Sequence, residues 1–229
     1  VWGPYPEGKA LTMKGPMMAA PDNIRIKLIG KGGHASMPNM LIDPVVMAAE
    51  VILSLQTIVS RKVDPLEPAV ISCCSIHGGS AQNVIPNEVE ITGTVRTLNE
   101  EVRRKMPELM EQTIKGITDI YNGAYEFDYH FGFPCLVNDA KSTETLISAA
   151  GKILGNENVD IMAKPVMGGE DFAYFTQEVP SAFIFLGVAE DMENPPVHHH
   201  PKFAFHSKNT VTSSEILTQA ALDFLENSK

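Results

Sequence analysis

The sequence is short of cysteine, of basic charge and of long apolar runs, and each shortage removes a class of protein. Three cysteines in 229 residues, Cys73, Cys74 and Cys135, make an odd number without metal-type spacing. That excludes a disulfide framework, and no second cluster of Cys or His is present to complete a structural zinc site. Adjacent Cys73 and Cys74 on a strand point to opposite faces, so buried reduced thiols in a reducing, cytoplasmic setting are expected. Lys and Arg total 18 against 28 Asp and Glu, a formal net charge of -10. Such a balance argues against nucleic acid or an anionic membrane as partner, since both call for basic patches. No apolar run approaches the roughly 18 residues that span a bilayer. No signal peptide is expected, the sequence shows no internal repeat or low-complexity tract, and it lacks a P-loop, a G-x-S-x-G elbow and a Cys/His nucleophile pair.

What is present is ordinary for a folded soluble chain, with 44% hydrophobic and 20% charged residues. The length allows one large domain or two small ones. The chain begins Val1-Trp2-Gly3-Pro4 with no initiator methionine, which reads as a cut inside a longer protein. Residues 1–21 are rich in proline and glycine and are expected to be a connector. A strand follows at 23–29, with Ile24, Ile26 and Leu28 on one face and Arg25 and Lys27 on the other. After a glycine loop, Asp43 as cap and Pro44 at the first position open a helix to about residue 60, with Val46, Ala49, Ile52, Leu53 and Ile58 as its apolar positions. Strands are expected at 69–77 and 87–96, and Asn99 caps a helix to about 121 that kinks or starts late at Pro107. The alternation of Tyr125, Phe127, Tyr129, Phe131 and Phe133 gives a further strand.

Residues 22–133 thus read β-α-β-β-α-β, the ferredoxin-like split arrangement with two helices on one face of a four-stranded sheet. From 134 to 229 the pattern becomes α/β, with a helix at 140–154, a wholly apolar strand at 182–188 and a helix at 211–226. Buried parallel strands are expected there, in what looks like half of a doubly wound domain.

Four stretches carry candidate chemistry. Gly30-Lys31-Gly32-Gly33-His34-Ala35-Ser36-Met37-Pro38 holds one histidine on a glycine connection, where the backbone can turn sharply. Gln82-Asn83-Val84-Ile85-Pro86, with Arg96 ending the next strand, offers an amide and a guanidinium for a carboxylate. Met167-Gly168-Gly169-Glu170-Asp171-Phe172 brings backbone amides and acids together at an apparent helix start, to bind a ligand, support a metal or cap the helix. Val197-His198-His199-His200-Pro201-Lys202-Phe203 cannot bring all three imidazoles to one ion, but one of them suits zinc or a related metal.

Taken in order, these segments resemble the M20 metallopeptidases, in particular the amidohydrolase branch of aminoacylases, hippurate hydrolases, auxin-conjugate hydrolases and carboxypeptidases. Gly30–Pro38 resembles that family's G-K-G-G-H-A-x-x-P, Asn83–Arg96 its N-x-I-P…G-x-x-R, Gly168–Phe172 its G-G-E-D-F, and His199–Phe203 its H-x-P-x-F. The resemblance implies a lid and dimerisation domain over about 22–133 and, over about 134–229, the C-terminal part of a zinc-exopeptidase α/β sandwich. It implies two divalent metals per complete site, zinc first with Mn, Co or Ni as alternatives, of whose ligands only His199 carries over. The family's G-L-H-V-W places another ligand just before Val1, so this chain alone is expected to be inactive. By the same resemblance His34 reaches into a partner subunit's site to stabilise an oxyanion, which implies a homodimer. Asn83, Arg96, Gly168 and Gly169 would contact a small-molecule substrate, an N-acyl amino acid or peptide, with Glu170 and Asp171 behind them. The sequence departs from the family's F-x-F-D-E run, having His206-Ser207-Lys208 after Phe205. The alternative reading is a non-catalytic dimerisation or binding module derived from the same family.

Overall fold

The computed structural model describes residues 1–227. Its elements in chain order are β1 (Trp2–Pro6), β2 (Ala10–Thr12), β3 (Gly15–Met18), β4 (Ala20–Ile29), β5 (Gly33–His34), α1 (Pro44–Arg61), β6 (Ala69–Gly78), β7 (Val84–Ile85), β8 (Glu88–Thr97), α2 (Glu100–Tyr121), β9 (Ala124–His130), β10 (Leu136–Asn138), α3 (Ala140–Leu154), β11 (Val159–Ile161), α4 (Ala173–Glu178), β12 (Phe185–Ala189) and α5 (Lys208–Asn227). The fold is mixed α/β and divides into two compact units.

The first unit, residues 18–135 with 167–171, is the ferredoxin-like one. Its sheet has the order β6-β8-β4-β9 with every neighbouring pair antiparallel. Ile24, Ile26 and Leu28 of β4, with Val89, Ile91 and Val95 of β8, form the apolar face, as alternation predicts. Asp43 caps α1 by accepting from the amides of Val45 and Val46, and Asn99 does the same for α2 at Glu101 and Val102. α2 runs through Pro107 as one helix instead of starting late.

The core-facing stripe of α1 differs from the expected one. Met47, Ala48, Val51, Leu55 and Ile58 are buried, whereas Val46 and Ala49 are exposed and Leu53 is 71% exposed. The helix is apolar on both sides, so periodicity alone could not choose between them. By length and composition α1 could also cross a bilayer, at mean hydropathy 1.3 over its 18 residues. Glu50, Ser54, Gln56 and Ser60 interrupt its apolar runs, which is why the run length hid this. Its buried stripe packs into the core of the ferredoxin-like unit.

The thiols are also less buried than expected. Cys135 is buried, but Cys73 is half-buried and Cys74 exposed. The register between β6 and β8 slips between Cys73 and Ser75, and this bulge on an edge strand turns Cys74 outward.

The second unit, residues 1–17, 136–166 and 172 onward, corrects the expected connector. Its first 17 residues supply β1, β2 and most of β3, and Gly8, at φ 80°, turns the chain between the first two. Prolines at 4 and 6 disguise β1, a strand whose single neighbour β12 leaves its other edge needing no N–H. The sheet order is β1-β12-β2-β11, and it is mixed instead of parallel: β12 runs parallel to β1 and antiparallel to β2. The strand expected from 182 starts only at Phe185. Asn138 explains the delay, because its amide takes both backbone groups of Phe183, accepting from the N–H at 2.8 Å and donating to the C=O at 3.0 Å. α3 and α5 close the core through Leu146, Ala150 and Ile216 against Ala10 and Leu186.

Candidate functional site

His34 sits on the two-residue strand β5, paired with Val84 of β7, and its ring is exposed. The loop around it is tightly tied. Lys31 and Ile42 exchange backbone hydrogen bonds of 2.9 and 3.1 Å, and Gly30 N–H donates to the Asn87 carbonyl. The Asn87 side-chain oxygen accepts from Gly32 N–H at 2.9 Å. Gly32 has to be glycine because a Cβ there would lie 2.4 Å from the Ile85 carbonyl oxygen. Ala35 N–H donates to the Asn83 carbonyl at 3.1 Å, so His34 and Asn83, separated by 49 positions in the sequence, stand on adjoining loops. At His34 itself, Nδ1 accepts from the Ser36 amide at 3.2 Å and lies 2.9 Å from Ser36 Oγ. Nε2 meets no hydrogen-bond partner among the described residues.

Arg96 lies at the other end of the same sheet, in register with Val70 and Pro21. Glu88, at the His34 end of β8, is eight residues away, roughly 26 Å along a strand. Nη1 of Arg96 donates to Thr94 Oγ1 and, at 3.2 Å, to the Val95 carbonyl. Gly168 and Gly169 are at this end too. The Gly168 carbonyl accepts from Ala19 N–H at 3.0 Å, and a Cβ on Gly169 would meet Pro21 at 2.4 Å. The close approach of Gly169 to Pro21 gives this glycine a physical reason. The segment does not cap a helix: α4 starts at Ala173 with Phe172 at the cap position and no side-chain cap, and Asp171 is exposed. Within the ferredoxin-like unit the candidate residues therefore form two groups, His34 with Asn83 and Arg96 with Gly168 and Gly169.

The end that holds Arg96 is braced by a buried charge network. Asp22 receives Arg103 Nη2 at 2.7 Å, Tyr129 Oη at 2.8 Å and Gly132 N–H at 2.9 Å. Burial, reinforced by the Asp22 charge, pushes the Tyr129 hydroxyl well above its ordinary range. Sequence reading missed this network, since a lone aspartate on a strand and an arginine on a helix give no local sign of pairing.

The three histidines lie in the second unit and divide their work. His198 is half-buried between Trp2 and Phe203, with ring centroids 4.8 and 5.1 Å away, and its Nε2 accepts from Gly3 N–H at 2.9 Å. Burial lowers the His198 pKa, the direction that suits an acceptor nitrogen. His200 Nδ1 accepts from the Lys202 amide at 3.1 Å, closing a turn. His199 is exposed and holds a left-handed backbone at φ 62°, uncommon outside glycine. The loop that carries them leaves β12 at Glu190 and ends at His206, and the carboxylate and imidazole of those two residues pair. Lys208 in turn pairs with Glu7 at 2.8 Å. The basic residues that replace the family's acidic run thus meet acids elsewhere in the unit. Among the described residues, no group of three His, Cys, Asp or Glu could hold a metal ion, so His199 can supply one ligand but not a site.

The profile of peptidase family M20/M25/M40 matches residues 3–223. The chain belongs to that family. It is 49% identical over 138 residues to the N-acyl-L-amino acid amidohydrolase of Geobacillus stearothermophilus, covering 60% of this chain and 37% of the relative. It is 35% identical over 224 residues to the N-acetylcysteine deacetylase of Bacillus subtilis strain 168, covering 98% of this chain and 57% of the relative. Among solved structures, the Bacillus subtilis YXEP protein, a dinuclear metal-binding peptidase from the M20 family, superposes with a TM-score of 0.71 at 29% identity, covering 97% of this chain and 55% of that one. The M20/M25/M40 chain described here therefore spans about half the length of these relatives.

Proposed function

We propose that this chain supplies the lid, the dimer contact and part of the active site of an M20 amidohydrolase, an enzyme that hydrolyses the amide bond of N-acyl amino acids or of the C-terminal residue of a peptide. In the complete protein two divalent metals, zinc with Mn, Co or Ni as alternatives, would activate the attacking water, with His199 as one ligand. The residues of this chain act around that step. His34 donates from Nε2 to the oxygen of the scissile carbonyl as negative charge develops there. Asn83 and Arg96 hold the substrate's carboxylate or amide end, with the backbone of Gly168 and Gly169 alongside and Glu170 and Asp171 behind. A reducing, cytoplasmic setting is part of the same reading.

The observation that carries it is the separation of His34 and Asn83 from Arg96 and Gly169 along β8. One protomer does not bring the two groups together within its ferredoxin-like unit, but a twofold pair does. β6 is an edge strand, and antiparallel pairing of two β6 strands sets the Gly78 end of one beside the Ala69 end of the other. That arrangement brings His34 of one protomer toward the Arg96 end of its partner. The exposed stripe of Val45, Val46 and Leu53 on α1, next to β6, supports the same homodimer face.

Hydrolysis of N-acyl amino acids and short peptides by the full-length protein tests the reading. Release of the free amino acid that stops with a chelator and returns with zinc, manganese, cobalt or nickel is expected. No release under any of these metals contradicts it and favours the second reading, a non-catalytic dimerisation module, whose supporting observation is the missing three-residue metal group among the described residues.

A further inference from the structure

We propose that Ser36 is a positioning residue that selects the tautomer of His34, holding the ring so that its single proton sits on Nε2. The proposal rests on the reading of His34 as a hydrogen-bond donor to the substrate. A neutral imidazole carries one N–H, and which nitrogen has it is decided by what the other nitrogen meets. At His34 the Nδ1 atom faces a backbone N–H, that of Ser36, at 3.2 Å. A backbone amide is a donor only, so it favours the form in which Nδ1 accepts and Nε2 carries the proton, but at 3.2 Å, the long end of the N–H donor range, it holds that form only together with the hydroxyl. Ser36 Oγ, 2.9 Å from the same nitrogen, adds a hydroxyl that can rotate to donate.

The geometry is set by the fold of the loop. His34 is fixed as a strand residue against Val84, and its carbonyl accepts from Met37 N–H at 2.9 Å. Residues 34–37 therefore make a tight turn with Ser36 at its third position. From there the amide and the hydroxyl of Ser36 both reach Nδ1 of His34. An exposed histidine without such a clasp would sample both tautomers and several rotamers, and only one combination presents a donor outward.

Ring-nitrogen NMR on the full chain with labelled histidine reads the tautomer directly. With the imidazole neutral, the expected spectrum has Nδ1 unprotonated and Nε2 protonated, and Ser36→Ala should mix the two forms while Ser36→Thr keeps one. A protonated Nδ1 in the wild type, or a spectrum unchanged by Ser36→Ala, overturns the proposal. In the full-length enzyme Ser36→Ala should lower kcat about two- to tenfold with KM little changed, the range of one hydrogen bond. If the tautomer is as expected but His34→Ala leaves hydrolysis intact, the role of His34 fails and the tautomer assignment stands. If His34→Ala abolishes hydrolysis while Ser36→Ala changes neither spectrum nor rate, only the role of Ser36 fails.

Discussion

Single residues in this chain are held by partners far away in sequence, and the Asp22 network is the clearest case. Its carboxylate is fully buried and satisfied by Arg103, Tyr129 and the Gly132 amide. Removing one member of such a pair leaves a charge without compensation, so Arg103→Met should destabilise the protein by about 3–5 kcal/mol in urea unfolding. A change below 1 kcal/mol would mean that water reaches Asp22. Tyr129 gives the network a pH signature. Its hydroxyl is raised above the ordinary tyrosine value of about 10, so the stability it contributes is complete below that pH and is lost as pH climbs toward the raised value. Unfolding free energy should therefore fall more steeply from about pH 9 upward in the wild type than in Tyr129→Phe. Parallel slopes in the two proteins would show that Tyr129 titrates normally.

At the scale of elements, the sequence was legible where the deciding physics is local. Asp43 and Asn99 announce their helices because a cap works within three residues, and Ile24, Ile26 and Leu28 announce their face because a strand alternates. It was not legible where a distant group intervenes. Nothing near Phe183 says that Asn138 takes both of its backbone groups, and nothing in Trp2–Pro6 says that β12 waits to pair with it. The four candidate stretches were visible as motifs, but the division of the three in the ferredoxin-like unit between two ends of its sheet depends on register. α1 shows the limit most plainly, since apolar residues line both of its sides. Leu55→Ala should cost about 2–5 kcal/mol by leaving a cavity in the core. Leu53→Ala should change stability by less than about 0.5 kcal/mol, because its side chain is 71% exposed. Equal losses in urea melts would mean that the helix is rotated.

For the whole molecule, the proposed chemistry needs two copies. Leu53→Glu puts a charge into the exposed α1 stripe, and in light scattering it should weaken dimerisation at least about tenfold while the far-ultraviolet circular dichroism stays unchanged. Retention of a full-strength dimer would move the interface elsewhere. Trans action of His34 is the central claim, and mixing two inactive variants of the full-length protein tests it most directly. On the proposed roles, His34→Ala would lack the oxyanion donor and His199→Ala a metal ligand, so each variant alone should be nearly inactive. In a mixed dimer, one of the two sites receives an intact His199 from one protomer and an intact His34 from the other. Refolding the two variants together in equal amounts should therefore restore about a quarter of the wild-type rate, since half of the dimers are mixed and half of their sites are complete. A rate that stays at the level of the separate variants would show that His34 does not serve the partner's site.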